Sequence, residues 1–171
     1  MSTRKLIDTN LESLIEMLAS DDGAIRTRAR KALTLLGKPA VTPLGQILKN
    51  SRVEHVRWEA VKTLGAIGDA RAIPRLVEAL EDKDPDVAWL AADALRQFKK
   101  TAWPPILRLL IKNGAESTLL RQSAHHVLRN QKADGFNDLL AALRKDLESN
   151  TVQESTPVAA YEILKHMKAK P

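Results

Sequence analysis

One pattern occurs five times in this chain, and the interval between its copies leaves few folds open. IRTRARKALTLL begins at Ile25, VRWEAVKTLGAI at Val56, VAWLAADALRQF at Val87, LRQSAHHVLRNQ at Leu120 and TPVAAYEILKHM at Thr156. Their central alanines, Ala29, Ala60, Ala91, Ala124 and Ala160, stand 31, 31, 33 and 36 residues apart. Each copy is preceded by a second helical pattern: LESLIEMLAS, AVTPLGQILK, AIPRLVEALED, AWPPILRLLIK and GFNDLLAALRK. A helix pair this short cannot bury its apolar stripe alone, so pairs recurring at such an interval stack into a solenoid. The expected fold is all-α: a right-handed α-solenoid of about five helix pairs, with residues 1–171 forming one domain. The pairs are expected near 8–37, 38–68, 69–99, 100–132 and 133–171.

Composition agrees with helix throughout. Aromatic residues are 4%, β-branched residues do not alternate, and Ala, Leu, Lys and Glu dominate. With 171 residues, 44% of them hydrophobic, the chain can bury a core without staples. There is no cysteine, which excludes disulfides, thiolate metal sites and a cysteine nucleophile, and suits a reducing compartment. No apolar run approaches a membrane span or a signal sequence, so the expected location is the cytoplasm. Turns between pairs are marked by Gly37 and Lys38, Gly68 and Asp69, Lys99 to Thr101, and Ala133 to Gly135. Turns within pairs fall at Asp82 to Pro85 and at Ser149 to Ser155. Pro74 and Pro104 sit in first turns, where a missing N–H costs little.

The stretch VRWEAVKTLGAIGDARAIPRLVEALEDKDPDVAWLAADAL resembles the HEAT repeat, in the short form often labelled bilin-lyase-like. The likeness runs over the whole chain and weakens at Leu11 to Ser20 and after Ser149, as in end units that replace apolar surface with polar. On that pattern the chain is expected to be a complete small protein. The resemblance implies that the second helix of each pair lines the concave side of the superhelix.

At about 100° per residue, Val56, Ala60, Thr63, Leu64 and Ile67 share one stripe with their counterparts in the other pairs, and that stripe is the expected core. Trp103 shares a core column with Val41, Ile73 and Phe136 on the first helices. The opposite stripe takes the positions two before, two after and five after each central alanine. It carries Thr27, Lys31 and Thr34; Trp58, Lys62 and Gly65; Trp89, Asp93 and Arg96; Gln122, His126 and Arg129; Val158, Glu162 and Lys165. Trp58 and Trp89 are thus expected side by side in the groove, with Leu90 extending the apolar patch. Lys62, Glu59 and Asp93 ring it with charge, and Lys31 and Arg28 lie toward the N-terminal end. Two readings stand: the indoles anchor a partner, or they fold down and cap the core. Arg26, Arg57 and Arg121 share another column, and the resemblance implies that they pair with turn carboxylates such as Asp22, Asp82 and Asp84.

Little catalytic chemistry is visible. The resemblance extends in fold to deoxyhypusine hydroxylase, whose second helices repeat a His-Glu pair around two irons. Here the matching positions read Trp58-Glu59, Trp89-Leu90, Gln122-Ser123 and Thr27-Arg28, so no such site is expected. His125 and His126 project about 100° apart and do not share a metal. Neither a metal nor a cofactor is expected. Helical-repeat glycosylases for alkylated bases pair concave aromatics with a carboxylate, and Trp89 and Asp93 stand one turn apart. The formal charge of +6, with the local excess of residues 1–50 drawn mainly from RTRARK at Arg26 to Lys31, would suit a nucleic acid, although no basic track runs the length of the stripe. Bilin lyases share the repeat, and nothing here marks a bilin pocket. The expectation is a non-enzymatic interaction scaffold that takes a protein or peptide in the groove, with nucleic-acid binding as the alternative.

Overall fold

A computed structural model describes residues 3–148 and 154–169, and the side chains of 10–148 and 154–168. The turn expected at Ser149 to Ser155 therefore lies largely outside the described residues. Ten α-helices and no strand occur among the described residues: α1 (Thr3–Leu18), α2 (Gly23–Leu36), α3 (Lys38–Asn50), α4 (Glu54–Ile67), α5 (Ile73–Glu78), α6 (Pro85–Arg96), α7 (Trp103–Asn113), α8 (Thr118–Leu128), α9 (Asn137–Leu147) and α10 (Ser155–Ala169). Short 3-10 turns flank α5 and precede α7. None of the described helices is long and apolar enough to cross a membrane.

Local chemistry sets the helix boundaries. At α6 the Asp84 carboxylate accepts hydrogen bonds from the N–H groups of Asp86 and Val87 at 3.0 and 3.1 Å, and Pro85 fills the first position. The turns leaving α2 and α4 need a positive φ, which Gly37 (70°) and Gly68 (67°) adopt without a side-chain clash. The same column holds Lys99 after α6, at φ 49°, where a Cβ makes the conformation costly.

Of the predicted core stripe on α4, Val56, Ala60, Thr63 and Leu64 are buried and Ile67 partly so. Ala29, Ala60, Ala91, Ala124 and Ala160 are fully covered, as are Leu33, Leu64, Leu95 and Leu128. Trp103 joins the core with Val41, Ile73 and Phe136, its ring 5.9 Å from that of Phe136 in an edge-to-face pair. These contacts build an α-solenoid in which α2, α4, α6 and α8 form one layer. They pack on one another far more extensively than α3 does on α5 or α5 on α7, as in a stack curved toward the second helices.

The last pair is arranged differently. By its column α10 belongs on α8, yet it packs most extensively on α7 and next on α9, while α9 packs on α8. Thr156, Ala160 and Ile163 are buried as their register requires, but against the other layer.

Candidate functional site

The arginine column ties down the turn inside three of the five pairs, and Ala88 and Pro157 stand in its place in the other two. Arg26 donates to the Ser20 and Asp21 carbonyls, Arg57 to that of Ser51, and Arg121 to those of Gly114 and Ala115. Of the carboxylate pairings that the resemblance implied, Arg57 makes one: Nε and Nη2 reach Asp82 Oδ2 and Oδ1 at 2.8 and 2.7 Å. That hydrogen bonding raises the Arg57 guanidinium above its ordinary value, against burial. Arg26 turns to Glu59 rather than Asp22, and Arg121 to the Thr118 hydroxyl.

Glu59 was expected on the open rim and is instead buried. Its carboxylate lies between Arg30 at 2.5 Å and Arg26 at 3.4 Å, both from α2. Helix α4 presses this face of Glu59 onto α2, and two guanidiniums replace the water it loses. The seam between the two helices thereby removes one negative charge from the exposed face.

The two tryptophans of the shared column meet different fates. Trp58 is half-buried against the core, with the Lys62 ammonium 4.0 Å from its ring centroid. It borders a hollow at the helix starts, beside Glu54, His55, Asp84 and Asp86. Trp89 stays 54% exposed. One face of its indole rests on the His126 ring, with centroids 3.7 Å apart and planes tilted by 33°. The two indoles make no ring contact with each other.

His126 corrects the stripe assignment, which placed it on the open face. It is 4% exposed, because Trp89 from α6 lies over it. Its Nε2 stands 3.6 Å from Asp93 Oδ1, and neither ring nitrogen has a hydrogen-bond partner among the described residues. Burial pushes the imidazole below its ordinary value, Arg129 and Arg96 add to this, and Asp93 opposes it. His126 is thus a neutral platform at neutral pH.

The other expected site residues fall into two adjoining hollows. Lys31 and Lys62 flank one of about 500 Å³ between α2 and α4, which also takes in Thr34, Leu35 and Ala66. Lys62, Leu90 and Asp93 line a second of about 350 Å³ between α4 and α6, with Val61, Ala66 and Ala94. Arg28 is exposed on α2. Leu35 was not expected: it is 89% exposed. It lies six after the central alanine, where the other pairs place Ala66 and Gln97, so periodicity alone gave no signal.

The floor of the second hollow is closed by a near approach of backbones. A Cβ at Gly65 would stand 3.1 Å from that of Ala94, and the Gln97 amide donates to the Gly65 carbonyl at 2.8 Å. The device recurs one and two helices on. Gln131 donates to the Arg96 carbonyl at 3.3 Å and Arg144 to that of Arg129 at 2.7 Å, each satisfying an acceptor that a helix end leaves open.

No group of three or more His, Asp or Glu among the described residues is arranged to hold a metal ion. A family model for HEAT repeats matches residues 11–96, half of the chain. No curated protein matches the chain.

Proposed function

The chain belongs to the HEAT-repeat family, whose members are commonly protein-interaction scaffolds, and from that premise we propose that it binds a protein segment across the exposed face of α2, α4, α6 and α8. The observation that carries this reading is Trp89. An indole 54% exposed yet seated on a buried ring is held in one orientation before a partner arrives, which lowers the ordering cost of binding. Leu90 and Lys62 extend the surface toward α4, and Lys31 and Arg28 toward α2. Trp58 is a lesser contributor, since its ring is already covered by the core and Lys62. In this reading the repeats are of the short, bilin-lyase-like form, which their spacings of 31 to 36 residues support. The function is non-enzymatic in this reading: Asp93, the acid one turn from Trp89, is already engaged by Arg96 at 3.4 Å.

The test is capture of partners from the native host's lysate with wild-type chain and with Trp89→Ala, followed by titration of the partner recovered. Loss of about 2 kcal/mol in affinity at unchanged helicity is the expected result. Recovery that vanishes after nuclease treatment, with affinity falling steeply in salt, would transfer the function to nucleic acid.

A further inference from the structure

Building on that reading of the face as a protein-binding surface, we infer that its occupant is a short acidic segment of a partner protein, with two apolar side chains that enter the paired hollows. Charge is the first support. Outward positions on α2, α4, α6 and α8 carry Arg28, Lys31, Lys62, Arg96 and Arg129. Against them the sequence sets Glu59 and Asp93. Glu59 is buried between two guanidiniums of α2, and Asp93 is in contact with Arg96. Arg96 and Asp93 offset each other, which leaves Arg28, Lys31, Lys62 and Arg129 facing a partner, and a cationic segment would meet uncompensated like charge.

Shape is the second support. The hollows share Lys62 and Ala66, so they adjoin across a single ridge. Leu35 stands at the mouth of one, and Val61 and Leu90 line the other. Packed helices lie about 10 Å apart. That distance separates residues i and i+3 of a polyproline II segment, at about 3.1 Å per residue, or i and i+7 of a helix, at about 1.5 Å. Either spacing leaves acidic side chains of the segment beside Lys31 and Lys62.

The edge of the face bounds the length of the occupant. Glu54, Asp84 and Asp86 stand at the helix starts beside Trp58 and outnumber Arg26 in the same hollow, so a long polyanion crossing the face would run into net negative charge. Proteins that hold a single strand commonly stack successive bases on several aromatic rings, and Trp89 is the large exposed aromatic of α2, α4, α6 and α8.

The experiment is selection of a displayed library of random peptides, about twelve residues long, on the full chain, with titration of the selected peptides against three variants. The variants are Trp89→Ala, Lys31→Glu with Lys62→Glu, and Leu35→Ser. The last removes an 89% exposed side chain and so leaves folding alone, which circular dichroism checks. Selected peptides should be net acidic, with apolar residues three or seven apart. Their affinity should fall about tenfold or more in the double charge reversal and with rising salt. Trp89-dependent peptides that are neutral or basic would overturn the acidic occupant and leave the protein-binding reading standing. Absence of any peptide sensitive to Trp89 or Leu35 would remove both. A mixed-sequence single-stranded oligonucleotide that binds more tightly than every selected peptide, and is lost in the charge reversal, would also overturn the inference.

Discussion

In the middle of the stack, α4 lies between α2 and α6, and all three belong to one layer; at the C-terminal end, α10 leaves that layer and packs on α7. Both regions obey the same column rule for what is buried. They differ in which neighbour does the burying. An apolar stripe on an amphipathic helix fixes a face and not a partner, because burial is non-directional. The middle helices have a partner specified twice, by side chains and by backbone approach: Gly65 admits Ala94, and Gln97 holds the end of α4. On the α8 side that role falls to Arg144 of α9, so α9 lies where α10 was expected and α10 is left with the first-helix layer.

The hardest test of this contrast is the Arg57–Asp82 pair of the middle region. Asp82→Ala strands a buried guanidinium and should cost about 3–5 kcal/mol in chemical denaturation. If the midpoint shifts by under about 1 kcal/mol, the pair is solvated and the middle is not stiffened by it. Next come matched leucines of one column. Leu64→Ala should cost about 2–5 kcal/mol, and Leu164→Ala should fall at the low end of that range, because it lies on α10 at the edge of the core. Equal costs would mean that α10 is as tightly enclosed as α4.

Helices α6 and α8 meet at Trp89 and His126, and pH probes that junction. The folded-state value of His126 lies below the ordinary 6.5, so on acidification the unfolded chain takes up this proton first. Stability should fall as pH drops from about 6.5 toward the folded-state value, and this contribution should be flat above about 6.5. His126→Gln should flatten the wild-type slope, measured as urea midpoints across that window. An unchanged slope would assign it to other groups. The smallest effect is expected at the boundary between the regions. Lys99→Gly exchanges a strained side-chain-bearing residue for one that adopts the turn freely, and should stabilise by about 0.5–1 kcal/mol in thermal unfolding.

The core was legible because the 3.6-residue period decides which side of each helix is wet, and Leu64, Leu95 and Trp103 follow it. The site was legible only in part, because its properties belong to pairs of helices. Glu59 looks exposed on α4 alone and is covered only when Arg26 and Arg30 of α2 are placed beside it. His126 looks equivalent to Lys62 until Trp89 of the preceding pair is laid over it. Leu35 differs from its counterparts Ala66 and Gln97 only in being large and apolar at a position that is exposed in all three pairs, which no period reveals. The family match ends at residue 96, the last residue of α6, while the expected layer order holds through α8 and fails at α10.

The donors that close the helix ends all lie later in the chain than the carbonyls they serve: Gln97 for α4, Gln131 for α6 and Arg144 for α8. During synthesis a chain emerges N-terminus first. Helices α4, α6 and α8 therefore each leave the ribosome with one terminal carbonyl that is served by a residue of a later segment. For these three helices the order of closure follows the order of synthesis, from α4 toward α8.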